Sequence, residues 1–152
     1  MDLHVSWQNP LFLRNASASQ GIYSVDINRI PAQAGVYIFL RIHGESAKAL
    51  YVGKAKNLKS RVKQQLNNVQ LMKGIESAAN GQRRLLIGVF EPKPGQSKDS
   101  SIARIEKALI RHYLAKGDAL INKQGTRIKS GTVRSQRTAL KKFIPTAINF
   151  EE

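Results

Sequence analysis

The chain has 152 residues, 41% of them hydrophobic, and carries 25 Lys and Arg against 10 Asp and Glu, for a formal net charge of +15. This apolar content is enough for a packed core, which excludes a disordered polycation, and the length favours a single domain. The absence of cysteine excludes disulfides and thiolate metal sites, and it agrees with an intracellular, cytoplasmic protein.

The positive charge indicates a polyanionic partner. Nucleic acid is favoured over an anionic membrane, because no basic amphipathic helix with a broad apolar face stands out. Residues 1–5 lack a basic prelude and an apolar run, and no stretch is long enough to cross a bilayer. We therefore expect neither a signal peptide nor a membrane segment.

Residues 1–30 are expected to form an N-terminal arm packed on the domain. Its apolar side chains are Trp7, Leu11, Phe12 and Leu13. They favour an extra strand or arm, and a stacking platform for bases is the alternative.

Residues 35–42 and 49–53 have the alternation of a β-hairpin whose strands bury one face. The residues predicted to share this face are Val36, Ile38, Leu40, Leu50 and Val52. Strand alternation then places Tyr37 and Tyr51 together on the opposite face. Two phenols on one surface are compatible with a chemical role, and equally with amphipathic strand tyrosines whose hydroxyls face water.

A basic helix capped by Asn57 is predicted after the hairpin. Its apolar stripe consists of Leu58, Val62, Leu66 and Val69. Arg61 and Gln65 fall at the edge of this stripe and face the sheet. The alternative for Arg61 is a solvated helix charge, which is the usual state of an isolated arginine.

Four features of this stretch agree with one known family. They are the tripeptide GVY at 35–37, the tripeptide YVG at 51–53, Lys54 and the helical Arg61. Together they resemble the GIY-YIG nuclease family, and most closely the N-terminal nuclease domain of excinuclease C. A literal GIY at 21–23 lies too far before Tyr51 for a tight hairpin, so the first motif is assigned to Tyr37.

The resemblance implies an α+β fold with a small three-stranded antiparallel sheet flanked by helices. Residues 31–122 would be the nuclease core, followed by a basic C-terminal extension at residues 123–152. Residues 83–90 are predicted to be the central strand because their apolar run is continuous. A short helix is predicted near residues 70–79.

A longer helix is predicted at residues 101–115, and its apolar stripe contains a glutamate. Its N-cap is predicted to be Asp99 or Ser100. An ionised carboxylate at Glu106 is costly unless it is paired or bound to a metal. Glu106 therefore either forms a salt bridge, with Arg61 or Arg84 as partner, or binds a hard divalent cation.

The resemblance also implies a set of catalytic residues. They are Tyr37, Tyr51, Arg61, Glu106, Lys54 and Asn122. Glu106 would hold a divalent metal, Mg²⁺ or Mn²⁺, and Arg61 would clamp the scissile phosphate. Tyr37 would activate or orient the attacking water, and Tyr51 would complete the network of water and phosphate. Because a free phenol has a pKa near ~10, Tyr37 can act as a base only if cations such as Lys54 favour the phenolate.

Two positions depart from the family pattern. Asn122 matches an asparagine that the family places shortly after the metal-binding helix, but the spacing is longer, and a turn-former bonded to local backbone is the alternative. Gln65 stands where the family usually has histidine or tyrosine, and glutamine cannot accept a proton.

Two functions therefore remain open. One is a metal-dependent DNA endonuclease that hydrolyses phosphodiester bonds, in which double-strand cleavage would need a homodimer or a partner subunit. The other is a nuclease-derived DNA-binding module with weak or no activity.

Residues 123–150 contain seven basic residues and no acidic one, and Ser135 is predicted to cap a helix there. A charge run is usually a solvated face, but with this surplus contact with phosphates is favoured. The predicted nucleic-acid contacts are Lys56, Lys59, Lys63, Arg127, Lys129, Arg134 and Arg137.

Overall fold

The structure is a computed structural model that describes residues 2–16, 21–122, 131–136, 139–140 and 142–150. The strands are β1 (Asp2–Trp7), β2 (Leu11–Phe12), β3 (Arg14–Asn15), β4 (Tyr23–Ser24), β5 (Gly35–His43), β6 (Ser46–Ala55), β7 (Gln82–Glu91), β8 (Gly131–Gln136) and β9 (Ala147–Phe150). The helices are α1 (Leu58–Leu66), α2 (Val69–Glu76) and α3 (Lys98–Ala115). Among the described residues, no helix combines the length and the apolar character needed to cross a membrane.

The main sheet has the strand order β6-β5-β7-β1-β8-β9, and β2 also pairs with β7. Each neighbouring pair among β6, β5, β7 and β1 is antiparallel, whereas β8 runs parallel to β1. The α+β class is confirmed, but the expected three-stranded sheet is too small. Strand β1 pairs with the edge of β7 that β5 leaves open, and its Leu3, Val5 and Trp7 are buried. Strands β8 and β9 extend the sheet further.

Helices cover both faces of the sheet. Side chains of α1 and α2 pack in one core with Tyr37 and Phe39, and side chains of α3 pack in the other core with Val36 and Ile38. Every residue from Gly35 to Leu40 is buried. The expectation that this strand buries only one face is therefore wrong, because helices lie on both sides of it.

The hairpin carries a register shift that the alternation did not predict. The pairing changes between Phe39 and Leu40, so that Phe39 faces Tyr51 while Leu40 faces Ala49. Leu50 is the extra residue, and it packs in the core on the α1 side. The prediction that Leu50 shares a face with Val52 is thus wrong, since a bulge reverses the alternation there.

The helix starts were predicted with mixed success. Asn57 caps α1 as predicted, and its side chain accepts a hydrogen bond from the Ser60 N–H at 3.1 Å. Helix α3 begins earlier than expected, with Ser97 as N-cap and without a side-chain capping bond, so neither Asp99 nor Ser100 is the cap. Ser135 lies in β8 and does not cap a helix.

Residues 118–122 cover the outer edge of β6. The Asp118 carboxylate accepts from the Ala49 N–H at 2.9 Å, and the Ile121 N–H donates to the Leu50 carbonyl at 2.7 Å. The Asn122 side chain bonds both the N–H and the carbonyl of Val52, each at 2.7 Å. Asn122 therefore pairs with distant backbone, which contradicts the alternative of a local turn-former, and the edge of β6 is satisfied up to Val52.

Arg83 holds the segment that joins α2 to β7. Its guanidinium donates to five backbone carbonyl oxygens at 2.8–3.4 Å. The acceptors belong to Ile75, Glu76, Ala78, Ala79 and Gly81. These carbonyls include groups at the end of α2 that lack a partner within the helix. A positive charge at that end also interacts favourably with the helix dipole.

We expect Arg83→Ala to lower the free energy of unfolding by about 1.5–3 kcal/mol, because hydrogen bonds from a charged donor are lost and carbonyls are left unpaired. Urea denaturation followed by circular dichroism measures this. Lys73→Ala, which removes an exposed cation from α2, is the control. Equal midpoints for the two variants would contradict the assigned role of Arg83.

Candidate active site

A cleft of about 550 Å³ lies at the edge of β6, between α1 on one face of the sheet and α3 on the other. Residues that line it include Tyr37, Tyr51, Lys54, Arg61, Asp99 and Glu106. The structure therefore brings together five of the six side chains predicted to be catalytic. They come from β5, β6, α1 and α3, and they meet because β6 is an edge strand that both helices can reach past.

The glycines of the two tripeptides permit this approach. Tyr37 lies opposite Gly53 in the hairpin, and a Cβ placed on Gly53 would lie 2.2 Å from the Tyr37 Cζ atom. The tyrosine ring thus crosses β6 over Gly53, and its hydroxyl reaches the cleft. A Cβ on Gly35 would lie 2.0 Å from the Gly88 carbonyl oxygen and 2.9 Å from Leu58. Both positions require glycine because backbone or ring atoms occupy the space of a side chain.

Gln65 joins the two phenols. Its Nε2 donates to the Tyr37 hydroxyl at 2.8 Å and lies 3.4 Å from the Tyr51 hydroxyl. The two rings are tilted against each other with centroids 6.3 Å apart, which confirms that they share one face. Gln65 is itself buried, and its carbonyl oxygen accepts from Asn68. The amide therefore holds the phenols without offering a proton acceptor of useful basicity.

The environment of Tyr37 opposes the phenolate. Burial raises the pKa of the Tyr37 hydroxyl above its ordinary value, and the hydrogen bonds from Gln65 and Arg61 offset this only in part. Tyr37 is fully buried, and it is among the residues that line the cleft. The raised pKa acts against the phenolate that Tyr37 would need in order to serve as a base.

Arg61 lines the cleft from α1. It is exposed on α1, and its Nη1 atom contacts the Gln64 Oε1 atom at 3.4 Å. Its positive charge acts on the hydroxyl of Tyr37 and on the carboxylate of Glu106. A guanidinium between these groups differs from the alternative of an isolated solvated charge, because it faces groups of the cleft from more than one element.

Glu106 faces the cleft without a salt bridge. None of the ion pairs among the described residues includes Glu106, so neither Arg61 nor Arg84 is its partner. Arg84 lies instead over the Phe12 ring, 3.8 Å from its centroid. Burial raises the pKa of the Glu106 carboxyl, although the charges of Lys54, Lys107 and Arg61 and the Lys54 backbone act in the opposite direction.

The donor atoms in the cleft suit a hard divalent cation held partly by water and substrate. Among the described residues, no group of three or more His, Asp or Glu side chains could enclose a metal ion. Mg²⁺ keeps several waters and commonly uses one or two carboxylates together with substrate phosphates. The Glu106 carboxylate forms no salt bridge among the described residues, and phenol oxygens line the same cleft, which fits that mode of binding.

Several predicted residues lie away from the cleft. Asn122 positions the backbone of β6 and does not line the cleft. Lys59 and Lys63 lie on α1 outside it, whereas Lys56 lines it. Arg134 lies in β8 and pairs with Asp2 at 2.9 Å, with three strands of the sheet between β8 and β6. The predicted contacts Arg127, Lys129 and Arg137 lie outside the described residues.

The sequence predictions omit two carboxylates to which the structure gives contacts, Asp99 in the cleft and Asp118 at the edge of β6. Asp99 lies three residues before Ile102 and seven before Glu106, and all three line the cleft. That helical spacing could have identified Asp99. Asp118 is buried and bonds the backbone of Ala49, 69 residues away, so no local spacing indicates its role.

Residues 33–87 match the family model described as a UvrC-like GIY-YIG domain. The matched segment contains β5, β6, α1 and α2 with Tyr37, Tyr51, Arg61 and Gln65, and it ends before α3 with Glu106. The resemblance inferred from the tripeptides is thereby confirmed for this segment. GIY-YIG domains are generally endonuclease domains, so the match indicates a nuclease-type function. No curated protein and no solved structure matched the chain.

The raised pKa of Glu106 predicts that stability falls as pH rises. The folded carboxyl keeps its proton to higher pH than the unfolded one, so its contribution is fully present at low pH and is lost as pH passes the raised pKa. In EDTA, we expect Glu106→Gln to be more stable than the wild type at neutral pH and similar at acid pH. Urea denaturation at both pH values tests this, with Glu76→Gln as the exposed control.

A Glu106→Gln variant that is less stable than the wild type at neutral pH would contradict the destabilising effect of burial on the ionised Glu106 carboxylate.

Proposed function

We propose that the protein is a metal-dependent DNA endonuclease that hydrolyses phosphodiester bonds in the cleft between α1 and α3. The observation that supports this most directly is the convergence of Tyr37, Tyr51, Arg61 and Glu106 on one cleft. The match of residues 33–87 to a UvrC-like GIY-YIG domain supports the same class of reaction. A binding protein without chemistry would have no need for a half-buried glutamate beside an arginine and two phenols.

The net charge of +15 supports nucleic acid as the substrate. Lys54, Lys56 and Arg61 line the cleft, so the positive charge extends to the proposed site of cleavage. Contacts of this kind neutralise backbone phosphates and carry no sequence information. We propose DNA rather than RNA because the matched domain is described as UvrC-like, and the sequence resembles a repair nuclease.

Glu106 is the residue that would hold the divalent cation, with Mg²⁺ or Mn²⁺ as the ion. When bound, such a cation polarises a phosphate oxygen and neutralises charge on the leaving oxygen. The half-buried position of Glu106 strengthens its interaction with a cation, since the local dielectric is lower than in bulk water. Burial raises the pKa of the Glu106 carboxyl, and the charges of Lys54, Lys107 and Arg61 act against this rise and favour the carboxylate form.

Arg61 would bind the scissile phosphate. A guanidinium stays protonated at all relevant pH values and offers paired donors that match two phosphate oxygens. Its exposure leaves these donors accessible to substrate, and its place beside Tyr37 and Glu106 directs the phosphate between them. It would stabilise the extra negative charge of the transition state.

Tyr37 would orient the attacking water as a hydrogen-bond donor. Gln65 donates to its hydroxyl oxygen, so the hydroxyl hydrogen is available to the cleft. The raised pKa of Tyr37 keeps that hydrogen in place at neutral pH. Tyr51, which lies near the same amide, would complete the contacts with water and phosphate. This assignment replaces the phenolate base by a neutral phenol.

A second candidate function is a nuclease-derived DNA-binding module with weak or no activity. The observation that favours it is the buried Gln65 at a position where the family usually has a proton-accepting side chain. Together with the raised pKa of Tyr37, it leaves the phenol pair without a protein base. Such a module would keep the charge and the cleft but lose turnover.

Nicking of supercoiled plasmid DNA with Mg²⁺ or Mn²⁺ separates the two functions. We expect the wild type to nick, and Glu106→Ala to reduce nicking to background. Tyr37→Phe should lower the rate by about 10²-fold through loss of orientation. Arg61→Ala should lower it by about 10²–10³-fold through loss of charge stabilisation.

Glu76→Gln, which changes an exposed glutamate on α2, should nick like the wild type. Gel retardation in EDTA reports binding for each variant. Retardation without nicking by the wild type would support the binding module, and nicking that survives Glu106→Ala would contradict the proposed site.

Mg²⁺ should stabilise the wild type and not Glu106→Gln, because a ligand that binds only the folded state raises its stability. The gain is about 2.7 kcal/mol when the ion is a hundredfold above its Kd. Thermal unfolding is measured with and without MgCl₂, with NaCl at equal ionic strength to correct for screening of the positive charge. An equal response of both proteins would place the cation elsewhere.

A further inference from the structure

A second groove adjoins the cleft. It has a volume of about 640 Å³ and lies beside the first turn of α3, where Lys98 lines it. Its other walls come from the segment before β5 and from the end of β7, through Gln33 and Glu91 among others. Lys56 lines both cavities, so its side chain stands at the point where the cleft and the groove meet.

An ion pair occupies this meeting point. The Lys56 Nζ atom lies 3.3 Å from the Asp99 Oδ2 atom, and the side chains are 74% and 64% exposed. Asp99 lines the cleft, whereas its neighbour Lys98 lines the groove. A strand of nucleic acid that passed from one cavity into the other would pass the Lys56–Asp99 ion pair.

We propose that the DNA strand continues from the cleft into the adjoining groove, and that a backbone phosphate replaces Asp99 as the partner of Lys56. The inference rests on the proposed function, since it assumes that the scissile phosphate binds at Arg61 and Glu106. In the free protein, Asp99 acts as an internal counterion at the position of a flanking phosphate. The site therefore contacts the strand on both sides of the Lys56 side chain.

The exchange is energetically accessible. Exposed ion pairs contribute little to stability, so the separation of Lys56 from Asp99 costs little. A phosphate of the DNA backbone offers Lys56 a charge-assisted hydrogen bond and releases counterions from the DNA. The exchange has a cost that remains after binding, because Asp99 then lies close to the phosphate.

Charged side chains of both signs lie around the point where the cleft and the groove meet. Lys98 lines the groove beyond the junction, and Glu91 also lines it. Glu106 lies two helical turns after Asp99 on the same face of α3 and belongs to the cation site proposed above. Asp99 is thus the one carboxylate in contact with Lys56 among the described residues, and its removal leaves that cation free for phosphate.

The test measures binding in EDTA, where cleavage does not interfere. A fluorescent duplex is titrated with the wild type, Lys56→Ala, Asp99→Asn and the double variant at several salt concentrations. Asp26→Asn is the matched control, because Asp26 also pairs with a cation, Arg29 at 3.6 Å, with side chains of similar exposure. It removes the same charge from the protein at a site that lines neither cavity.

Asp99→Asn should bind about twofold to fivefold more tightly than the wild type at low salt, which corresponds to the strength of an exposed ion pair. Its affinity should fall more steeply with salt. Lys56→Ala should bind more weakly, with a salt slope lower by about 1. In the Lys56→Ala background, Asp99→Asn should give a smaller gain than in the wild type, since the cation that it frees is absent and only the repulsion of the phosphate is relieved.

A duplex series with one neutral methylphosphonate linkage identifies the phosphate. The linkage that weakens the wild type and leaves Lys56→Ala unaffected marks the phosphate bound at the junction. We expect it to flank the cleaved bond and not to coincide with it. If no linkage has this property, the proposed exchange is wrong.

The inference fails if Asp99→Asn and Asp26→Asn change affinity equally, or if the effects of Lys56→Ala and Asp99→Asn are additive. It also fails if Asp99→Asn weakens binding. These outcomes differ from failure of the proposed function, which would show as a wild type that does not nick plasmid DNA, whether or not it binds the duplex.

Discussion

The passage of the Tyr37 ring over Gly53 is the contact on which the candidate site depends. Tyr37 belongs to the second strand of the sheet, so its hydroxyl can reach the edge only by crossing β6. A Cβ at Gly53 would occupy the same space as the ring. The glycine that ends the second tripeptide therefore leaves the space that the tyrosine ring of the first tripeptide occupies. The two motifs form one packing unit rather than two independent contributions to chemistry.

The edge position of β6 allows side chains from both faces of the sheet to reach the cleft. Helix α1 approaches it from one face with Arg61, and α3 approaches from the other face with Glu106. An open strand edge is normally an aggregation risk, and here residues 118–122 block it up to Val52. The part of β6 that remains beside the cleft carries Gly53 and Lys54. The strand thus divides into a structural half, which is paired, and a half that faces substrate in the proposed function.

Local patterns predicted the parts of the fold in which one element decides the outcome. The hairpin, the Asn57 cap and the shared face of the two phenols follow from alternation and capping chemistry, and they are confirmed. The position of Leu50 was wrong because a bulge depends on pairing with the neighbouring strand. The size of the sheet was wrong because β1 and β8 find their partners far along the chain, and no period in the sequence reports such pairing.

In the candidate site, too, local patterns predicted some features, whereas others depend on contacts between distant elements. The position of Glu106 in a helical stripe indicated a carboxylate that needs a partner, and the structure shows no salt bridge to it among the described residues. The bond of Gln65 to both phenols, the pairing of Asp99 with Lys56 and the bond of Asp118 to the edge strand all depend on contacts between elements. The roles of these residues in catalysis and binding remain predictions.

The pairing of β1 also bears on how the chain reaches its folded state. Strand β1 precedes its partners in the chain, and it pairs with residues 88–91 of β7 and 132–136 of β8. On a ribosome, Leu3, Val5 and Trp7 must therefore stay without their final neighbours until residues 88–91 and 132–136 have emerged. Contacts of such high sequence separation slow folding and prolong exposure of apolar side chains. The hairpin and α1, whose contacts are local, can assemble long before this closing step.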